Sequence, residues 1–170
     1  MPLQGTMLAV SAYAELTQAL DLGTGRAPQA LSRSMALASG TAAGQGDRVW
    51  SDRRTLAASA TEDLDLAGVL LDAFGTAITF ARIKGIVIAA AAGNTNNVVV
   101  GAAAANPWAT LLSATGTVTL RPGAFLAVGT GAADATGYAV TAGTADLLKV
   151  ANSAAGTAVT YDVHIIGASA

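Results

Sequence analysis

The chain has no cysteine and only one histidine, His164. The first absence excludes disulfide staples and every thiolate metal site, and it suits assembly in a reducing cytoplasm. The second means that a histidine metal cluster would have to draw His164 from several copies around a symmetry axis. Charge is scarce as well. Asp, Glu, Lys and Arg make up 12% of the residues, about half the share of an ordinary soluble domain. The net charge is -2, and the basic residues are scattered singly apart from Arg53 and Arg54. That pattern carries no electrostatic footprint for a nucleic-acid backbone, so no nucleic-acid partner is expected. Long apolar runs are missing too. The most apolar stretch, Gly85 to Gly93, is bounded by Lys84 and Asn94 and falls far short of the ~20 residues of a spanning helix. Met1 to Val10 lacks the basic flank of a signal peptide. No membrane partner is expected.

What is present is small and apolar. Hydrophobic residues account for 52% of the chain but aromatics for 5%, and the mean hydropathy is +0.50. Alanine, glycine, threonine and valine suit pleated surfaces and tight turns. With 170 residues the chain has the length of one domain, which buries roughly 70% of its unfolded surface. So few charges on so apolar a chain imply that much of its exterior is covered by neighbours.

Period-two alternation predicts strands. From Leu8 to Leu22 every even position except Gln18 is apolar, and the odd positions include Ser11, Glu15, Thr17 and Asp21. Ala14 to Leu20 would also tolerate a helix. Gly23, Gly25 and Pro28 break the pattern, Ala30 to Ala38 resumes it, and Ser39 to Gly46 reads as a loop. Leu64 and Leu66 alternate with Asp63 and Asp65, and Asp72 to Gly75 forms a turn before a long strand from Thr76 to Ala91. Apolar side chains change parity along that strand, which predicts a bulge near Lys84-Gly85 or burial on both faces. Two hairpins are expected. One joins Thr117–Leu120 to Ala124–Val128 through Arg121-Pro122-Gly123; the other joins Asp146–Ala151 to a final strand in which Val159, Tyr161, Val163 and Ile165 face one way. Short strands with Gly-rich turns indicate one all-β domain, a β-sandwich of about ten strands, with the jelly roll as one form of it.

Chemistry finds few groups to gather. His164 lies on the polar side of the last strand, as a surface or interface residue rather than a general base. Glu62, Asp63 and Asp65, with Asp52 or Asp72, do not match the spacing of a calcium loop and read as a solvated strand face. Gly23-Thr24-Gly25 and Gly129-Thr130-Gly131 lack the rest of a phosphate-binding loop, and no GxSxG elbow presents a serine. No catalytic residue, metal ligand or cofactor is therefore expected, and the chain reads as a non-enzyme. Trp50 and Trp108 are the side chains whose size demands explanation, and both are candidate interface residues, because a buried Trp anchors either a core or an interface. Trp108, in the loop after Asn106-Pro107, is either an interface anchor or a core plug. Pro2 and Leu3 belong to an N-terminal segment, Met1 to Gly5, that is a candidate arm towards a neighbour.

Three segments carry a likeness. RRTLAASATEDLDLAG (Arg53 to Gly68), TFARIKGIVIAAAAGNTNNVVVGAA (Thr79 to Ala103) and DATGYAVTAGTADLLKVANSAAGTAVTYDVHIIG (Asp134 to Gly167) resemble a family of small virion proteins of tailed bacteriophages. The resemblance spans residues 45 to 168 and weakens before Ser39. It implies a structural component of the particle, localised to the virion after assembly in the host cytoplasm. First among such roles is a head decoration, or cement, protein: a β-sandwich, commonly a homotrimer, seated on the major capsid protein. A neck, head-spike or fibre-base component comes second. A carbohydrate-binding sandwich is more remote, because three Tyr, three Phe and two Trp leave little for a sugar platform.

Overall fold

The alternation read in the sequence becomes strands almost everywhere in the computed structural model, which describes residues 3–170. The chain opens with a long antiparallel ribbon made of β1 (Thr6–Leu20) and β2 (Gly23–Ser39), in register from Thr6 opposite Leu37 to Leu20 opposite Gly23. Only Asp21 and Leu22 turn the chain. Gly23, Gly25 and Pro28 therefore lie inside β2, where they had been expected to interrupt it. Pro28 is tolerated because nothing pairs with the outer edge of β2 there, so its missing N–H need not serve a second ladder. The helical alternative for Ala14 to Leu20 is not taken up. The loop expected over Ser39 to Gly46 is shorter: residues 40–44 turn back, while Ser39 ends β2 and β3 (Gln45–Gly46) runs parallel to that end and pairs with it.

The rest of the chain behaves as one long antiparallel hairpin rolled over on itself. β4 (Arg48–Leu56) pairs with β14 (Val159–Ala168), and β5 (Thr61–Asp65) pairs with β13 (Leu147–Asn152). β8 (Arg82–Ala90) pairs with β11 (Phe125–Gly129), and β9 (Val98–Gly101) pairs with β10 (Thr117–Leu120). Rolling places alternate pairs in two sheets, ordered β11-β8-β14-β4 and β10-β9-β13-β5. This is the strand order of a jelly roll, an all-β sandwich that shields most strand edges by nesting its pairs. β6 (Leu70–Leu71) and β7 (Ala77–Ile78) form a small flanking hairpin, and β12 (Tyr138–Ala139) adds to β8. The single helix among the described residues, α1 (Ala109–Leu112), is one turn long and none is long and apolar enough to cross a membrane.

This topology corrects two expected hairpins. The turn at Arg121-Pro122-Gly123 carries the chain from β10 to β11, and residues 153–158 carry it from β13 to β14; each passes from one sheet to the other. A crossing turn and a hairpin turn use the same residues, so turn chemistry alone does not reveal which strand becomes the partner. The long strand expected from Thr76 to Ala91 likewise divides into β7 and β8, with Phe80 buried between them. The bulge is where the parity change put it: β14 steps from Ile166 opposite Gly85 to Gly167 opposite Ile83, leaving Lys84 as the extra residue.

The core lies between the sheets. Ile86, Ile88, Val163 and Ile165 from one sheet meet Leu64, Val98, Val100, Leu148 and Val150 from the other, all essentially solvent-free. A second, smaller cluster sits on the outer face of the β8-containing sheet, where Met35 and Leu37 of the ribbon cover Ile166, flanked by Leu3, Leu8 and Val49. Gly85 and Gly129 make that contact possible. A Cβ at Gly85 would lie 3.1 Å from Met35 Cε and 3.3 Å from Leu8 Cδ2, and one at Gly129 would lie 2.9 Å from Leu8 Cδ2. The two glycines face each other across β8 and β11, so the missing side chains form a recess for the base of the ribbon.

Candidate functional site

The outer face of β14 and its neighbours gathers the most polar side chains of the sandwich. Register places Asp162 beside Arg53 and Ala89, and His164 beside Ser51 and Val87. These six line an open depression of about 500 Å³. Ser51, His164 and Asp162 are residue types that could form a nucleophilic relay, but the geometry is different. Both Asp162 oxygens accept from Arg53, at 2.6 and 2.9 Å, and this bond to the guanidinium holds the carboxyl below its usual pKa. His164 makes no side-chain hydrogen bond to Ser51 or Asp162 among the described residues, and burial of part of its ring lowers its pKa. A general base needs its proton partner within hydrogen-bond reach and an orienting group behind it. Neither is in place here.

The carboxylates separate in the same way. Glu62 reaches inwards: Oε1 accepts from the Tyr161 hydroxyl at 2.7 Å and Oε2 from Arg54 Nε at 2.7 Å, and Arg54 also donates to Asp52 at 2.9 Å. This network ties β5 of one sheet to β4 and β14 of the other. Asp65 accepts from the Ala67 amide, and Asp72 closes its turn by accepting from the amides of Phe74 and Thr76. No group of three or more His, Asp or Glu side chains that could hold a metal ion occurs among the described residues. The bulged Lys84 is solvent-free and donates to the Asp134 carbonyl at 2.6 Å. Burial lowers its pKa against the opposing pull of the Asp134 carboxylate.

The two tryptophans were candidate interface anchors, and the structure places both in the core. Trp108 is 3% exposed and Trp50 4%. Trp108 Nε1 donates to the Ala139 carbonyl at 2.9 Å, with its ring edge-on to Tyr138 at 6.3 Å. Trp50 lies opposite Ile165 on the inner face. Both indoles are consumed by packing within one chain, so neither side chain is free to anchor a neighbour. Leu3 is half-buried against the cluster at the ribbon base. Pro2 lies outside the described residues.

The large uncovered apolar surface is elsewhere, on the ribbon. Residues opposite one another in an antiparallel pair point to the same face. One ribbon face therefore carries Leu8 with Met35, Val10 with Arg33, Ala12 with Leu31, Ala14 with Gln29, Leu16 with Ala27, Gln18 with Gly25 and Leu20 with Gly23. The opposite face carries Ser11 with Ser32, Tyr13 with Ala30, Glu15 with Pro28 and Thr17 with Arg26. Only the rungs nearest the sandwich are covered; Leu16 is 67% exposed and Leu31 57%. The alternation at Leu8 to Leu22 had signalled a strand. It had not signalled that the apolar side of that strand would be left bare.

Comparison with protein-family models, with curated proteins and with solved structures finds no match.

Proposed function

We propose that this chain is a structural protein of a tailed-bacteriophage particle, a head decoration protein that binds copies of itself and the shell of the major capsid protein. It works by contact and not by catalysis. The observation that carries the reading is the pairing of a closed jelly roll with a projecting ribbon whose apolar face is uncovered. Exposed apolar surface of that extent marks a surface that a partner covers. The likeness of three long segments to phage virion proteins supports the same reading. Jelly rolls are common among viral capsid proteins, although a fold by itself does not specify a function. A cement protein reinforces a shell by adding buried area across its seams, and a chain poor in charge has little polar surface to desolvate on seating.

Cryo-electron microscopy of intact virions tests the proposal. Copies distributed over the head, in contact with the major capsid protein, are the expected result. Copies confined to one vertex would assign the chain to the neck or a spike, and absence from the particle would remove the virion reading altogether.

A further inference from the structure

We infer that the ribbon of β1 and β2 is an assembly arm whose apolar face is covered by the ribbon of a second copy of this chain. This names the self-contact within the structural role proposed above and rests on that reading.

Beyond its base the ribbon has little in its own chain to hold it. From the Ala9–Ser34 rung to the Leu20–Gly23 rung it pairs with nothing else, and a lone two-stranded hairpin is at best marginally stable. Its β1 edge is open to further pairing over this length, while Pro28 interrupts the outer edge of β2. Nor does charge shield it. Between Ala9 and Ser34 the charged residues are Glu15, Asp21, Arg26 and Arg33, and Glu15 and Arg26 face each other on the polar side, 3.4 Å apart. Arg33 is thus the only charge on the apolar face.

The apolar face supplies about half the area of an ordinary interface, beside an open strand edge that supplies pairing. At ~3.4 Å per residue and ~4.8 Å between strands, the free part of the ribbon is about 40 Å long and 10 Å wide, or about 400 Å² on each face. Covering the apolar face buries about 400 Å² per chain, about half the usual share of one partner in a stable complex, and strand pairing along the open β1 edge adds to it.

The relief of the apolar face points to the occupant. Beyond the Val10–Arg33 rung each larger side chain stands beside a small one: Leu31 beside Ala12, Gln29 beside Ala14, Leu16 beside Ala27, Gln18 beside Gly25, Leu20 beside Gly23. The larger residue changes strand once, between Gln29 and Leu16, so a ridge on β2 nearer the base gives way to a ridge on β1 towards the tip, each with a flat beside it. Turned end over end, a second copy sets its β1 ridge over the flat at Ala12 and Ala14. It receives the β2 ridge on its own flat at Ala27, Gly25 and Gly23, so the face is complementary to itself. The same face already shows how it docks: at its base Leu8 and Met35 fill the side-chain-free recess at Gly85 and Gly129. Further out, Ala12, Ala27, Gly23 and Gly25 offer the same low relief to another copy. A second copy is also the one partner made in equal amount wherever the chain is made, which suits a segment unstable without cover.

The test compares the full chain with a variant carrying Leu16→Glu and Leu31→Glu, and with a shortened chain in which Ala9 and Ser34, which are cross-strand partners, are joined by Asn-Gly. Mass is read by sedimentation and light scattering across a concentration series. Circular dichroism checks that the sandwich remains folded in all three. A multimer of the full chain that falls to monomer in both altered chains supports the inference. A full chain that stays monomeric at high concentration overturns it, as does a multimer of unchanged mass in the altered chains. A monomer that nevertheless binds phage shells would overturn the inference and leave the decoration role standing. A ribbon-dependent multimer that is absent from virions would do the reverse.

Discussion

Tyr161 places a phenol in the solvent-free core and satisfies it with Glu62. Burial first, and then the bond to the Glu62 carboxylate, raises its pKa from 10.0. A phenol that ionises more readily in the unfolded chain leaves stability intact below the unfolded pKa and removes it as pH rises beyond. The chain should lose stability above about pH 10, by at most about 1.4 kcal/mol per pH unit from this group. Urea unfolding of wild type and Tyr161→Phe across pH 8 to 12 checks the sign: the variant should be weaker by about 1–2 kcal/mol near neutrality, with the gap closing at high pH. A gap that widens with pH would contradict the assignment. Trp108 makes a second residue-level case. Truncation to alanine removes a buried indole and its bond to Ala139, so Trp108→Ala should cost about 3–5 kcal/mol and should lower the unfolding midpoint. A stable variant impaired only in assembly would return Trp108 to the interface.

At the scale of elements, the contact between ribbon and sandwich rests on two absent side chains. Replacing both Gly85 and Gly129 with valine fills the recess that holds Leu8 and Met35. Valine favours strands over glycine, so the sheet itself should hold while the ribbon base is lifted away. Hydrogen exchange should then quicken by roughly tenfold or more at residues 6–8 and 35–37, which corresponds to about 1.4 kcal/mol of lost docking. Protection along Val159–Ile165 should persist. Uniform loss of protection would mean that the glycines serve the sheet and not the ribbon.

For the molecule as a whole, the two clusters of buried side chains separate core from attachment. The large one joins the two sheets and contains no ribbon residue, while the small one joins ribbon to sandwich. The sandwich should therefore fold without the outer ribbon. Joining Ala9 to Ser34 through a short turn should leave a single cooperative unfolding transition, within about 1–2 kcal/mol of the full chain when both are monomeric. Calorimetry at low concentration would show this. Two transitions, or failure to fold, would make the ribbon part of the folding unit.

Alternation and turn chemistry were enough to read most strands, the inward faces of β14 and β5, the Asp72 turn and the bulge at Lys84, because each depends on neighbours within a few residues. The division of Thr76–Ala91 and the continuity of β2 through Pro28 depend on partners further away. The partners of those strands are not local. The last two strands read as a hairpin, yet they lie in opposite sheets, since rolling the chain buries both apolar faces and a flat hairpin buries only one. Trp108 carried no mark that it would close one end of the core, because an aromatic after a proline suits a plug and an anchor equally. The ribbon shows the same limit most plainly. Its period-two pattern is the same as that of the core strands, although its face carries alanine, glycine, Gln18, Gln29 and Arg33 where theirs carry valine, isoleucine and leucine. Whether such a face is covered by its own chain depends on what the other residues have left to offer. Here tertiary packing used up both tryptophans and both inner sheet faces, and left the Val10–Leu31–Leu16 face bare.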